Sequence, residues 1–340
     1  MALNVSTPCR IDLAGGTLDL WPICAFLGAA TTVNHAISLR VQVEFSPAAD
    51  ALSVIRSEDL GLRLEVQPDE IPGLDEGPLS LFAVALRRLP PPTPQALVTR
   101  SPAPAGSGLG ASSALLIATL RGLSELRGED RSPAELVALA RDLEARLIRV
   151  PTGTQDYWSA IGGGLNLIDY RAGETDGRVR PRNAPGPRLL ERLERSLLVL
   201  FTGESHFSAA PNWAVLKAWI DNPGGRTRAA IAAIRDAAAA ADLAIAEDDP
   251  DALEAAIRDE WTARMTLADE VAPPRIRTLL ERLTEAGASS LKLCGAGGGG
   301  SLIALVPPEH REAVLDCAGQ HGASDLGATL EGEGCRVTRS

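Results

Sequence analysis

The sequence predicts an α+β protein with two domains. Patterns typical of strands and of helices occur in separate blocks rather than in regular alternation, which favours α+β over α/β architecture. The 340 residues, 45% of them hydrophobic, are enough for two cores. The polar, proline-rich stretch 171–188 has the composition of a linker. We therefore expect domains at residues 1–185 and 186–340.

The first half of the chain combines strands with helices. Residues 31–45 alternate between apolar and polar side chains, the period of a half-buried strand. Ser132 and Glu135 form the pattern of a capping box, so a helix should begin at Pro133 and continue to about residue 147. Further strands are expected at 51–55, 62–66 and 96–99, and further helices at 79–89 and 114–126.

The second half begins with an apolar run that predicts a buried strand at 196–201. Helical patterns follow, and two short strands then flank a glycine-rich loop. The helices are expected at 226–247, 251–269 and 274–286, and the strands at 291–293 and 302–306.

Composition excludes several classes of partner. The formal net charge of −11 argues against a nucleic-acid surface, which would need clustered Lys and Arg. No apolar run is long enough to span a membrane, and no signal peptide is recognisable. The five cysteines are odd in number and lack C-x-x-C spacing, so we expect a reduced, cytoplasmic chain without a zinc site.

Two glycine-rich loops carry the strongest chemical signal. The first, residues 104–113, leads into an alanine- and leucine-rich helix, and the second comprises residues 295–300. Glycine lets a backbone approach an oxyanion closely, and a helix N-terminus presents unpaired N–H groups with partial positive charge. The first loop is therefore expected to hold phosphate.

This loop resembles two general phosphate-binding motifs in part. A Walker loop needs Lys and then Ser or Thr after its last glycine, but Gly110 is followed by Ala111. A dinucleotide fingerprint is satisfied in spacing by Gly106, Gly108 and Ala111. The acidic residue that it requires would fall in a polar turn near residue 130, and no repeated βαβ pattern surrounds it. A dinucleotide-dependent oxidoreductase stays a distant alternative.

A third interpretation comes from a family. The pattern P-x-x-x-G-L-G-x-S-S before an alanine-rich helix, with a late K-L-x-G-A-G-G-G-G segment, resembles the GHMP kinases of galactose, homoserine, mevalonate and phosphomevalonate. The resemblance implies an N-terminal domain like ribosomal protein S5 domain 2 and a ferredoxin-like C-terminal domain. It also implies ATP and Mg²⁺ in the cleft between them.

By the same resemblance, a loop serine and a helix glutamate would share the metal, and Ser112 and Glu144 match those positions. Read without the family, Glu144 is a solvated carboxylate pairing with Arg141. The nucleotide would lie on the first loop, at Pro104, Gly106, Ser107, Gly108, Leu109, Gly110, Ala111, Ser112 and Ser113.

The catalytic pair implied by the family is Asp156 and Arg10. Asp156 would accept or orient the proton of the substrate hydroxyl, and Arg10 would stabilise charge on the transferred group. On residue type alone, Asp156 would be a turn cap and Arg10 part of a surface salt bridge.

The acceptor would be bound mainly by the segment after Arg10. Its residues Gly15, Gly16, Thr17 and Asp19 match the family's first motif, and the two glycines would let the backbone approach a polyol. Asp156 would also contact the acceptor, and His206 is a further candidate contact. The Glu-His pair that precedes the aspartate in galactokinases is absent from this motif, which makes galactose itself doubtful.

These features together predict an ATP- and Mg²⁺-dependent kinase of a sugar or sugar phosphate, similar to heptose 7-phosphate kinases and acting on an anomeric hydroxyl. Other hexoses, hexosamines or mevalonate-like acceptors remain alternatives, as does a non-catalytic nucleotide- or sugar-binding regulator. We expect a monomer or homodimer without nucleic-acid or membrane partners.

Overall fold

A computed structural model describes residues 2–49, 51–66, 74–173, 176–180, 185–205 and 209–339. These residues form two β-sheets with helices packed around them. The strands are β1 (Leu3–Ala14), β2 (Ala29–Pro47), β3 (Ser53–Ser57), β4 (Leu62–Val66), β5 (Gln95–Arg100), β6 (Leu165–Arg171), β7 (Arg178–Val179), β8 (Leu197–Phe201), β9 (Ser290–Leu293), β10 (Ser301–Leu305), β11 (Ser324–Asp325) and β12 (Arg336–Arg339).

The α-helices lie mostly between these strands, and short 3₁₀ segments occur at Leu74–Leu79, Asp269–Val271 and Pro308–His310. The α-helices are α1 (Ile23–Phe26), α2 (Ser80–Arg88), α3 (Ala111–Arg127), α4 (Pro133–Ile148), α5 (Gln155–Gly162), α6 (Pro187–Ser196), α7 (Ala209–Asp221), α8 (Arg226–Ala246), α9 (Pro250–Arg264), α10 (Pro274–Glu285) and α11 (Arg311–Gln320).

The larger sheet is organised around β1 and β2. These long strands pair antiparallel, with Leu3 opposite Phe45 and Arg10 opposite Ala36. Strand β2 also pairs with β5 at one end and with β6 at the other, and β3 and β4 extend the sheet beyond β5. The last strand, β12, returns from the far end of the chain and pairs antiparallel with β1.

The smaller sheet has the antiparallel order β11-β8-β10-β9. Strands β8 and β10 are almost fully buried, which explains their continuous apolar sequences. We propose that the domain boundary lies near residue 185, between the last of the early strands and β8. On this division β12 crosses back to the N-terminal sheet.

Several sequence expectations are confirmed. The 31–45 strand is the central part of β2, and α4 has the capping box in which Ser132 and Glu135 bond each other's backbone. The helix expected at 251–269 instead ends at Arg264, where the Leu267 amide turns back to the Arg264 carbonyl. The expected linker also contains β7, which pairs with β6, and the first residues of α6.

In the part of the chain that the structure describes, no helix is both long and apolar enough to cross a bilayer.

Candidate active site

Residues 104–113, here called the phosphate loop, connect β5 to α3. Gly106, Gly108 and Gly110 all have left-handed backbone conformations, with φ of 69°, 73° and 73°, which side-chain-bearing residues rarely adopt. Among the amides of residues 106–113, only that of Ser107 donates to another described residue. The other amides converge at the N-terminus of the 17-residue helix α3, where the helix dipole favours an anion.

The second glycine loop, residues 295–300, packs directly against the phosphate loop. A Cβ on Gly108 would lie 2.6 Å from the Cys294 carbonyl oxygen, and one on Gly300 would lie 2.8 Å from that of Ser107. The Ser301 amide also donates to the Ser107 carbonyl at 2.7 Å. Strand β10 and the residues before it therefore fix the phosphate loop from behind.

Arg10 of β1 joins the phosphate loop to Asp156. Its Nε donates to Asp156 Oδ1 at 2.8 Å, and its Nη2 lies 2.6 Å from the same oxygen. Its Nη1 donates to the Gly108 carbonyl at 2.6 Å, and its backbone amide donates to the Leu109 carbonyl. The Arg10 side chain is 5% exposed and that of Asp156 is 23% exposed. The pair is thus buried on one side and open on the other.

Asp156 lies in the first turn of α5 and faces the start of α3. A Cβ on Gly110 would be 3.2 Å from the Asp156 carboxyl group, which is a tight contact, and the left-handed φ of Gly110 also favours glycine here. The two helix N-termini therefore meet at one carboxylate, which is favourably placed against both dipoles. The structure brings Asp156, Arg10 and the unpaired amides of the phosphate loop together.

Residues 15–19, which the sequence predicts to bind the acceptor and which are therefore called the acceptor loop, follow β1 and end beside α5. Asp19 Oδ2 accepts a hydrogen bond at 3.2 Å from the amide of Gln155, the residue that precedes Asp156. Burial raises the pKa of Asp19 to about 6, and the charge of Asp156 adds to that shift. A carboxyl group in this environment accepts hydrogen bonds from neutral hydroxyls with little competition from water.

The glycines of the acceptor loop have a structural explanation that the sequence did not suggest. A Cβ on Gly15 would lie 2.3 Å from the Thr31 carbonyl, and one on Gly16 would lie 2.3 Å from Asp12 Oδ2. Protein atoms therefore already occupy the space that the missing side chains leave. Both glycines are needed for packing, whatever the acceptor.

Glu144 of α4 lies beside the start of α5, close to Asp156. Its carboxylate accepts hydrogen bonds from the hydroxyls of Tyr157 and Thr152, and Ser113 also bonds to it. Burial raises the pKa of Glu144 to about 7, although the Tyr157 hydrogen bond opposes the shift. The expected metal partner, Ser112, is exposed at the start of α3, and no hydrogen bond joins it to Glu144.

The oxygen atoms of Glu144 and of the serines at the start of α3 are suitable ligands for a magnesium ion. Mg²⁺ takes hard oxygen ligands, often one or two protein groups beside phosphates and water. Glu144 is a partly buried carboxylate near the charge of Asp156, and a cation between them would relieve both the desolvation and the repulsion. Among the described residues, no group of three or more His, Cys, Asp or Glu side chains is arranged so that it could hold a metal ion by itself. Phosphate oxygens would therefore have to complete the coordination.

Some site residues are not described or were missed. His206 lies outside the described residues, but Ser205 just before it donates its hydroxyl to the Ala105 carbonyl of the phosphate loop. Tyr157 was not predicted as a site residue. Its position beside Asp156 was a signal, because a tyrosine buried at the start of a helix needs a hydrogen-bond partner.

Family models match both halves of the chain. The model described as the GHMP kinases N terminal domain matches residues 80–164, and the one described as GHMP kinases C terminal matches residues 228–324. The first covers the phosphate loop and Asp156, and the second covers the glycine loop that supports them. The fold is accordingly the GHMP kinase fold, and the dinucleotide-binding alternative is wrong.

Individual proteins agree with the family models. The D-glycero-alpha-D-manno-heptose 7-phosphate kinase of Campylobacter jejuni is 25% identical over 321 residues, covering 92% of each chain. A galactokinase of Mycobacterium tuberculosis is 28% identical over 350 aligned positions, covering 93% of this chain and 92% of its own. The solved structure of a putative sugar kinase from Campylobacter jejuni superposes with a TM-score of 0.77 at 22% identity, covering 100% of this chain and 98% of that one. The chain therefore belongs to the GHMP kinase family.

Proposed function

We propose that the protein transfers the γ-phosphoryl group of ATP to a hydroxyl of a sugar or sugar phosphate. The observation that carries the proposal is the position of the Arg10–Asp156 ion pair between the unpaired amides of the phosphate loop and the acceptor loop. One side of this pair offers anion-binding groups, and the other offers a carboxylate for hydroxyls. Phosphoryl transfer needs both sides aligned.

The residues divide the reaction between them. The phosphate loop amides would hold the triphosphate, and Asp19 would accept hydrogen bonds from acceptor hydroxyls. Asp156 would orient the attacking hydroxyl and take its proton as the oxygen–phosphorus bond forms and ADP leaves. Arg10 would stabilise charge on the transferred group while it holds Asp156 in position.

Magnesium would be held by Glu144, with Ser112 or Ser113 as a hydroxyl ligand from the start of α3. When bound, it would supply charge neutralisation between the β- and γ-phosphates. The hydrogen bond from Tyr157 would keep the Glu144 carboxylate oriented toward the phosphate loop.

The acceptor is proposed from the relatives. One relative is named a heptose 7-phosphate kinase and another a galactokinase, so a sugar or sugar phosphate fits both. The first motif, around residues 7–19, lacks the Glu-His pair that precedes the aspartate in galactokinases, which favours a heptose-phosphate-like acceptor and an anomeric hydroxyl. We also propose that the protein works in the cytoplasm as a monomer or homodimer.

A coupled assay of ADP formation against heptose phosphates, hexoses, hexosamines and mevalonate tests the proposal. Asp156→Asn should lower kcat by about 10²- to 10⁴-fold and leave ATP affinity nearly unchanged. The matched control is Asp130→Asn, a fully exposed carboxylate after α3. Tight ATP binding with no turnover on any acceptor would indicate a regulator instead. Unchanged turnover in Asp156→Asn would remove this residue from the mechanism.

A further inference from the structure

Four charged side chains lie buried at the junction between the two halves of the chain. They are Asp12 of β1, Glu260 and Arg264 of α9, and Lys292 of β9, each at most 1% exposed. Arg264 Nη2 lies 2.5 Å from Glu260 Oε1, and Lys292 Nζ lies 2.9 Å from Glu260 Oε2 and 3.3 Å from Asp12 Oδ2. Two positive and two negative groups balance each other in this charge cluster.

The neighbouring cations favour the charged form of Asp12 in the charge cluster. Burial opposes the charge on Asp12, but Lys292, Arg264 and Arg10 outweigh it and hold the pKa of Asp12 below its usual value. An ion cluster without solvent is weak evidence for stability, because desolvation offsets much of its attraction.

Arg264 extends from the charge cluster to the acceptor loop. Its Nη2 donates to the Gly16 carbonyl at 2.8 Å, and its Nη1 donates to the Thr17 hydroxyl at 3.1 Å. Its Nη1 also lies 3.5 Å from the Gly295 carbonyl at the start of the second glycine loop. A single guanidinium of the C-terminal half thus contacts both the acceptor loop and the support of the phosphate loop.

The acceptor loop adopts a conformation that needs external support. Thr17 has φ of +76°, and a β-branched residue in this left-handed region is a genuine outlier. Such strain persists only where surrounding contacts enforce it. The turn is tight, since the Leu18 amide donates to the Gly15 carbonyl and the Leu20 amide to that of Thr17. The Arg264 guanidinium is the charged group that bonds this turn at two successive residues.

We infer that Arg264 is a positioning residue for acceptor binding, which holds the acceptor loop so that Asp19 faces the site. The inference rests on the proposed function, because it assigns the loop to the acceptor. Asp19 is two residues from Thr17, so a change in the turn moves this carboxylate directly. The ATP-binding amides of the phosphate loop lie outside the turn and receive at most one long contact through Gly295.

Only arginine satisfies all of these contacts. Its planar guanidinium bonds Glu260 through Nε and Nη2 and still reaches Gly16 and Thr17. A lysine would keep the positive charge beside Glu260 but has a single nitrogen. Arg264→Lys therefore separates the charge balance of the cluster from the hold on the acceptor loop.

The test compares Arg264→Lys with Arg258→Lys. Arg258 lies on the same helix, but its Nη1 bonds the Ser289 carbonyl far from the acceptor loop. Arg264→Lys should raise the acceptor KM about tenfold or more while the ATP KM changes less than about twofold. Arg258→Lys should change neither. Equal effects on both KM values, or none, would overturn the inference.

A milder variant and a second readout cover other outcomes. If Arg264→Lys fails to fold, Thr17→Val replaces it, because this variant removes one hydrogen-bond acceptor of Arg264 and leaves the charge cluster intact. Thr17→Val should then speed hydrogen exchange of the acceptor loop relative to the wild type. Hydrogen exchange of the peptide covering residues 13–21 should be faster in Arg264→Lys than in the wild type, in the absence of any substrate. If the wild type phosphorylates no acceptor, the proposed function fails, and exchange alone decides whether Arg264 holds the loop. Unchanged exchange would refute that role.

Discussion

The contact between the two glycine loops can be tested by adding a single methyl group. Gly108→Ala would place a Cβ 2.6 Å from the Cys294 carbonyl oxygen and 3.2 Å from its carbon, both backbone atoms that cannot rotate away. Gly128→Ala is the matched control. Gly128 has nearly the same left-handed φ, 67° against 73°, but no atom lies within 4 Å of its added Cβ.

The expected loss of stability differs between the two variants. A left-handed alanine costs about 1–2 kcal/mol, and this is all that Gly128→Ala should lose. Gly108→Ala also overpacks a rigid contact, which costs about 1–3 kcal/mol more. An unfolding entropy of about 2.1 cal/mol/K per residue makes 1 kcal/mol equal to about 1.4 °C for this chain. Tm should therefore fall by about 3–7 °C in Gly108→Ala and by about 1.5–3 °C in the control.

Scanning calorimetry with and without ATP checks this prediction. The same clash displaces the phosphate loop, so the Tm increase that ATP produces should shrink in Gly108→Ala and stay unchanged in Gly128→Ala. If Tm decreased by the same amount in the two variants, the second glycine loop would not be supporting the phosphate loop. If Gly108→Ala lost stability but kept the full effect of ATP, the nucleotide would lie elsewhere.

Three further predictions concern the carboxylates and the last strand. Folded-state pKa values of about 6 for Asp19 and about 7 for Glu144 exceed their usual values of 3.8 and 4.5, so these two groups favour the folded state more at low pH than at neutral pH. That contribution, about 3 kcal/mol for Glu144, should disappear between pH 4.5 and 7 in denaturant titrations and be missing in Glu144→Gln. Tyr157→Phe removes a donor to Glu144 and should raise the Mg²⁺ concentration for half-maximal activity by about threefold or more. Arg40→Ala removes bonds to the carbonyls of residues 333 and 334, so amides of β12 should exchange faster.

The sequence predicted the elements whose signals are local. The capping box of α4, the alternation of β2 and the glycine loops each depend on neighbours within a few positions, and all are found. Strand β1 was missed as a strand because Arg10 and Asp12 interrupt its apolar pattern. Both side chains are buried because they form ion pairs with distant residues. Local hydrophobic patterning does not predict such buried charged groups.

Contacts between distant segments could not be predicted in the same way. The charge cluster joins residues 12, 260, 264 and 292, and no spacing rule connects positions about 250 residues apart. The helix expected to continue to residue 269 ends at Arg264, because the chain turns there and the side chain enters the junction. The end of α9 was therefore set by tertiary structure rather than by helix propensity.

The Arg10–Asp156 ion pair and the charge cluster influence each other through β1. Arg10 and Asp12 are two residues apart on this strand, so they point to the same side of it. The charge of Arg10 helps to lower the pKa of Asp12 against the effect of burial, and Asp12 in turn helps to raise the pKa of Arg10. Asp12 is also bound to Lys292 and Arg264 of the C-terminal half. The electrostatic environment of Arg10 beside Asp156 therefore depends on residues of both halves, and neither half alone can establish the charge balance of the site.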